Sequence, residues 1–94
     1  MNTEITESSI PRRKTDLSWK AMGDETAILS ADGNVLTTLN PTGSALWQAA
    51  DGNRSLGEIA HLMAEEFNAP EEQITEDLIG FAIRLAQAEL IEFS

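Results

Sequence analysis

The sequence predicts an α+β domain in which a small antiparallel sheet comes first and three helices follow it. Three observations carry this. Residues 25–30 (Glu-Thr-Ala-Ile-Leu-Ser) and 34–39 (Asn-Val-Leu-Thr-Thr-Leu) are short, β-branched and apolar, with Ala31-Asp32-Gly33 between them, which is the pattern of a hairpin. Asn40-Pro41 then marks an abrupt switch. Asn40 can accept from the free amides of a new helix, and Pro41 suits the first helical position, where a missing N–H does no harm. From Gly43 onward the apolar residues recur at helical spacing.

Residues 1–16 hold two apolar residues besides Met1, without a period, and are expected to form a disordered N-terminal tail. Its basic run, Arg12-Arg13-Lys14, reads as solvated, as a contact for an acidic partner, or as a segment folded back on the acidic domain. The folded domain is expected over residues 17–94. Leu17, Trp19 and Ala21 alternate with Ser18 and Lys20, as in a half-buried strand. Gly23-Asp24 turns that strand into the hairpin. The three strands make a meander with at least one open edge.

In the first helix Gly43, Leu46, Trp47 and Ala50 share one face, and Trp47 is expected to be buried with Leu46. Asp51-Gly52 ends it. Ser55-Leu56-Gly57-Glu58 is a capping box and opens the second helix, whose buried stripe is Leu56, Ile59, Ala60, Met63 and Phe67. Asn68-Ala69-Pro70 closes it, and Pro70, Glu71 and Glu72 suit the start of a third helix over roughly residues 70–89. Ile74, Leu78, Phe81, Leu85 and Ala88 form one stripe of that helix, and Ile79, Ile83, Ala86 and Leu90 form a second beside it. A helix lying on one layer needs an apolar arc of little more than about 100°, and this arc exceeds half the circumference. Either the helix is central, or part of its arc lines a groove that another molecule fills. Leu90–Phe93 reads as a terminal strand or an apolar tail on the core.

Ninety-four residues make one domain. There is no cysteine and a single histidine, His61, so neither a disulfide nor a transition-metal site is expected. No 18-residue apolar run occurs and the N-terminus is too polar for a signal peptide, which points to a cytoplasmic protein without a membrane partner. The net charge is −10. Residues 1–14 carry three bases and two acids; the rest of the chain carries three bases and 14 acids. Such a surface repels phosphate, which supplies most nucleic-acid affinity, and attracts basic partners. No nucleophile–base spacing, phosphate loop or histidine pair is present. Glu65-Glu66 and Glu71-Glu72 read as capping and solvation, and His61 falls on the polar side of its helix. A non-enzymatic role without a cofactor is expected.

The ordered set Leu39-Asn40-x-Thr42-Gly43-x-x-x-Trp47, Asp51-Gly52, Ser55-x-x-Glu58-Ile59-Ala60, Asp77-Leu78-x-x-Phe81-x-x-x-Leu85 and Leu90-Ile91, behind two strands, resembles the PqqD family, named for pyrroloquinoline quinone synthesis protein D. The resemblance covers about residues 17–93. One departure stands near its end: members often have Gly before the last Leu-Ile pair, where this chain has Glu89. Members of the family are peptide chaperones, also called RiPP recognition elements. The resemblance implies a winged-helix-like domain, three antiparallel strands followed by three helices, with no chemistry of its own. It implies binding of the leader of a ribosomally synthesised precursor peptide. The leader is then presented to a maturation enzyme, such as a radical S-adenosylmethionine protein, or to a leader peptidase. The leader is expected as an extra strand on the third strand, Asn34, Val35, Leu36, Thr37, Thr38 and Leu39, in a groove walled by Asp77, Phe81, Arg84 and Leu85 of the third helix. An open strand edge suits that mode, because its unpaired N–H and C=O groups accept a new strand whatever its side chains.

Two rival readings remain. A DNA-binding winged helix needs a basic recognition helix, yet residues 70–90 hold one base, Arg84, against five acids. A structural adaptor would bind a folded partner through the third helix and meet no peptide.

Overall fold

In the computed structural model, which describes residues 4–93, the chain runs β1 (Pro11–Arg13), β2 (Ser18–Met22), β3 (Glu25–Leu29), β4 (Leu36–Leu39), α1 (Pro41–Ala49), α2 (Leu56–Phe67), α3 (Glu71–Gln87) and β5 (Ile91–Phe93). The expected meander is present as an antiparallel sheet of order β2-β3-β4. Its register sets Trp19 beside Ile28 and Ile28 beside Thr37, and Ala21 beside Thr26 and Thr26 beside Leu39. Because side chains alternate across a strand, these residues share the face turned to the helices, and Ile28, Thr26 and Leu39 are buried there.

The β3–β4 connection is held by its own polar groups. The Ser30 N–H donates to the Val35 carbonyl at 2.9 Å, and the Gly33 N–H donates to the Ser30 carbonyl at 2.9 Å. Asp32 Oδ1 accepts from the Ser30 hydroxyl at 2.6 Å and from the Asn34 N–H at 3.0 Å. These bonds hold the Asp32 carboxyl below its ordinary value. Gly33 has φ +77°, which a residue with a side chain rarely adopts. The third strand of the meander therefore begins at Leu36, not at Asn34: Asn34 and Val35 are spent on the turn.

The sheet-to-helix switch follows the sequence. Asn40 Oδ1 accepts from the Gly43 N–H at 2.9 Å and Pro41 is the first helical residue. Gly43, Ser44, Leu46 and Trp47 form the buried face of α1. A buried hydrogen bond between Thr26 and Ser44 ties α1 to β3. The Ser55–Glu58 capping box is present at α2, and its bond from the Ser55 N–H lowers the Glu58 carboxyl. α3 packs on α2, α1 and β5, so it occupies the central position among the helices. The core joins Ile28 and Leu39 of the sheet to Leu46, Trp47, Leu56, Ile59, Met63, Leu78, Ala82 and Leu85 of the helices.

Several expectations are corrected. Residues 1–3 and 94 lie outside the described residues, but the rest of the tail is not structureless. Pro11–Arg13 form β1, which pairs antiparallel with β5 in a second, two-stranded sheet. The basic run folds back, as one of its three readings had it. Arg12 pairs with Glu92 at 3.0 Å, and Arg13 donates to the carbonyls of Trp47 and Gln48 at 2.9 and 2.8 Å, where a cation meets the negative end of α1. Upstream, the Glu7 and Ser9 carbonyls accept the free amides of Gly57 and Leu56 at the start of α2. Strand β2 is exposed at every position, not half-buried, because it is the far edge of a sheet whose helical cover lies over β3 and β4. Trp19 stays 42% exposed although its ring meets Trp47 edge-on at 5.9 Å. Phe67 is 47% exposed: it is the last residue of α2 and overhangs the core. On α3 the buried line is Ile74, Leu78, Ala82 and Leu85, while Ile83 and Ala88 are exposed.

Candidate functional site

The site grows from the edge of β4. The Ser30 N–H to Val35 carbonyl bond fixes which rungs of the β3–β4 ladder are hydrogen-bonded. In an antiparallel pair bonded and non-bonded rungs alternate, so Ile28–Thr37 and Thr26–Leu39 are bonded and Leu29–Leu36 and Ala27–Thr38 are not. The N–H and C=O groups of Leu36 and Thr38 therefore point away from β3. Among the described residues no strand pairs with that side of β4.

Two points link the surroundings of β4 to α3 and to the residues that follow it. Near the Leu39 end, Phe81 sits against Gly43 so closely that a Cβ there would lie 3.1 Å from Phe81 Cε1. Near the Val35 end, a cleft of about 520 Å³ brings Val35 and Thr37 together with Ala88, Glu89 and Leu90, and with Lys14, Asp16 and Leu17 of the segment after β1. Between these points Arg84 stacks over the Phe81 ring, its guanidinium 4.7 Å from the centroid. Around β4 the structure thus sets an aromatic packed on the start of α1, a cation stacked on that aromatic, and a partly apolar cleft at the Val35 end.

Of the expected site residues, Leu36 and Thr38 present the open edge, and Thr37 and Leu39 face inward. Asn34 and Val35 belong to the turn, and Val35 also lines the cleft. Phe81 and Arg84 are brought together beside the strand. Leu85 is buried in the core, so it supports the wall without lining the cleft. Asp77 lies one turn beyond Phe81 in a separate depression of about 410 Å³ with Pro70, Glu72, Gln73 and Glu76. Sequence reasoning missed Lys14, Asp16 and Leu17, because residues up to 16 were assigned to a loose tail and Leu17 to a buried strand face. It missed Glu89 as a lining residue, although its position was marked by the expected glycine. Glu89 has φ +61°, the left-handed conformation in which glycine is favoured.

A second cleft of about 530 Å³ lies between α2, α3 and the segment before β1 and includes His61 and Glu71. His61 Nδ1 is 2.8 Å from Glu71 Oε1 and its Nε2 is 3.7 Å from Glu65 Oε1; these carboxylates, Glu71 first, raise the imidazole above its ordinary 6.5. The groups are exposed, as expected for His61. Among the described residues no group of three or more His, Cys, Asp or Glu could hold a metal ion, and no helix is long and apolar enough to cross a membrane.

Comparison with known proteins bears on this geometry. Residues 25–91 match the family described as Coenzyme PQQ synthesis protein D (PqqD). A PqqA binding protein from Rhizobium meliloti (strain 1021) is 44% identical over 48 residues, which span 51% of this chain and 49% of that protein. The chain thus matches about half the length of this relative. Two solved structures share the fold. The PqqD truncation of Methylobacterium extorquens PqqCD, a stand-alone RiPP recognition element solved by NMR, superposes with a TM-score of 0.80 at 20% identity, over 96% of each chain. TbiB1 in complex with the TbiA(beta) leader peptide superposes with a TM-score of 0.76 at 22% identity, over 86% of this chain and 94% of that one. The α+β architecture of three meander strands and three helices is that of these proteins, and the chain belongs to the PqqD family.

Proposed function

We propose that this chain is a non-catalytic peptide chaperone. It binds the leader of a ribosomally synthesised precursor peptide by strand addition to β4 beside α3, and presents it to a modifying enzyme or a leader peptidase. The observation that carries the reading is the open edge of β4, with the Leu36 and Thr38 amides turned outward next to a cleft lined by Val35, Thr37 and the residues just after α3. Each added main-chain hydrogen bond contributes only ~0.5–1.5 kcal/mol net, so side-chain anchors against Phe81 and in the cleft carry much of the affinity. The other edge, β2, is exposed at every position, with Trp19 set edge-on against Trp47 of α1. Family membership supports the reading, as does a relative that binds PqqA and a like-folded protein solved with a leader peptide. The cytoplasm, where a precursor peptide is made, is the compartment this role requires.

Proline substitution tests the strand. Thr38→Pro removes an outward N–H and leaves the β3–β4 ladder intact; Thr37→Pro removes a ladder bond. The expected result, with a cognate precursor leader peptide as ligand, is a folded Thr38→Pro that loses most of its affinity. Thr37→Pro loses stability as well. A folded Thr38→Pro with unchanged affinity would remove β4 as the docking strand.

A further inference from the structure

We propose that the leader segment taken by this groove has an apolar stretch of about five or six residues with a basic residue at each end. This rests on the strand-addition reading above and specifies its ligand. Two acidic depressions flank the Phe81–Arg84 pair along the chain. At the Val35 end the cleft is lined by Asp16, Asp32 and Glu89 against one base, Lys14. At the other end, one turn of α3 past Phe81, the depression around Asp77 holds Glu72 and Glu76 and no base. Between them along the chain stands Arg84 over Phe81, and the Val35-end cleft adds Val35, Leu17, Ala88 and Leu90 as apolar lining. A cationic side chain is favoured at either end and disfavoured opposite Arg84, where an apolar residue fits the Phe81 ring.

The spacing follows from the two backbones. Asp77 lies 10 positions before the end of α3 at Gln87, about 15 Å at a helical rise of ~1.5 Å per residue, and Glu89 stands two residues further on. An extended peptide covers that span in about five or six residues at ~3.3 Å each. The net charge of −10 adds a long-range attraction for such a cationic segment and raises its encounter rate.

Three fluorescein-labelled heptapeptides test this by fluorescence polarisation: Lys-Val-Thr-Leu-Thr-Val-Lys, the same core with Glu at both ends, and the same core with Ser at both ends. The lysine-ended peptide is expected to bind about tenfold more tightly than the serine-ended one, and the glutamate-ended peptide more weakly than both. The preference should shrink to under about threefold in 0.5 M salt, where screening is short-ranged. Glu76→Gln with Asp77→Asn, and separately Asp16→Asn with Glu89→Gln, should each remove part of the preference. Equal binding of the three peptides, a reversed order, a preference that both double variants keep, or no binding by any of them overturns the inference. The strand-addition reading stands or falls separately, on whether the native precursor peptide perturbs the Leu36 and Thr38 amides.

Discussion

Gly43 of α1 lies tightly against the ring of Phe81 of α3: a Cβ on residue 43 would stand 3.1 Å from Phe81 Cε1 and 3.3 Å from Cδ1, so the ring would have to give by a few tenths of an ångström. This contact joins the residues just after β4, the proposed docking strand, to the proposed anchor Phe81. Alanine at position 43 gains about 1 kcal/mol of helix propensity, and pushing a half-buried ring aside costs a similar amount. Gly43→Ala is therefore expected to change stability by less than about 1 kcal/mol while displacing Phe81 and weakening peptide binding severalfold. A thermal melt and a peptide titration on one sample check both parts; intact affinity would mean that Phe81 is not an anchor.

Trp47 is fully buried between the sheet and the helices and meets Trp19 at its edge. Trp47→Ala should cost ~3–5 kcal/mol, a large share of the stability of a domain this size. Denaturant unfolding measures it, and a loss below about 1 kcal/mol would show that the core closes without the indole.

Glu89 holds a left-handed conformation after α3, where the Leu90 N–H donates to the Leu85 carbonyl at 2.9 Å. Glycine removes that strain, so Glu89→Gly should stabilise by roughly 1 kcal/mol and raise Tm by about 4–8 °C. A lower Tm would mean that the Glu89 side chain makes a compensating contact.

His61 should titrate above 6.5 in an NMR pH series, because Glu71 and then Glu65 favour the imidazolium. A raised folded-state value means that its stabilisation is complete below about pH 6.5 and is lost as pH rises through the folded value. Glu71→Gln should move the midpoint back toward 6.5; a midpoint unmoved by that change would exclude the pair as the cause.

The parts of this fold that local chemistry dictates were legible in the sequence. Asn40-Pro41 and Ser55–Glu58 announce their helices through side chains that satisfy neighbouring amides, and the structure has both. Alternation and turn residues located the meander. What was illegible depends on partners far along the chain. Pro11–Arg13 become a strand only because β5 lies 80 residues away, and no periodicity can appear in three residues. The exposure of β2 depends on where the helices stop covering the sheet. The helix stripes failed at their margins, at Phe67 and Ile83, for the same reason. The cleft at the end of the groove is built from residues 14–17, 30–37 and 88–90, three segments that meet only in the folded chain. Of the candidate site, the strand and Phe81 with Arg84 could be read from the family-like spacing, while Lys14, Asp16 and Leu17 could not.

The central claim is that a peptide occupies the edge of β4 against α3, and amide shift mapping tests it most directly. The ¹⁵N-labelled chain is titrated with a cognate precursor leader peptide. The predicted result is that the Leu36 and Thr38 amides shift most, since their N–H groups gain partners, with further shifts from Phe81 through Glu89. Shifts confined to α2 around Glu58–Glu66, with residues 36–39 and 81–89 unperturbed, would contradict the account even if the peptide binds tightly.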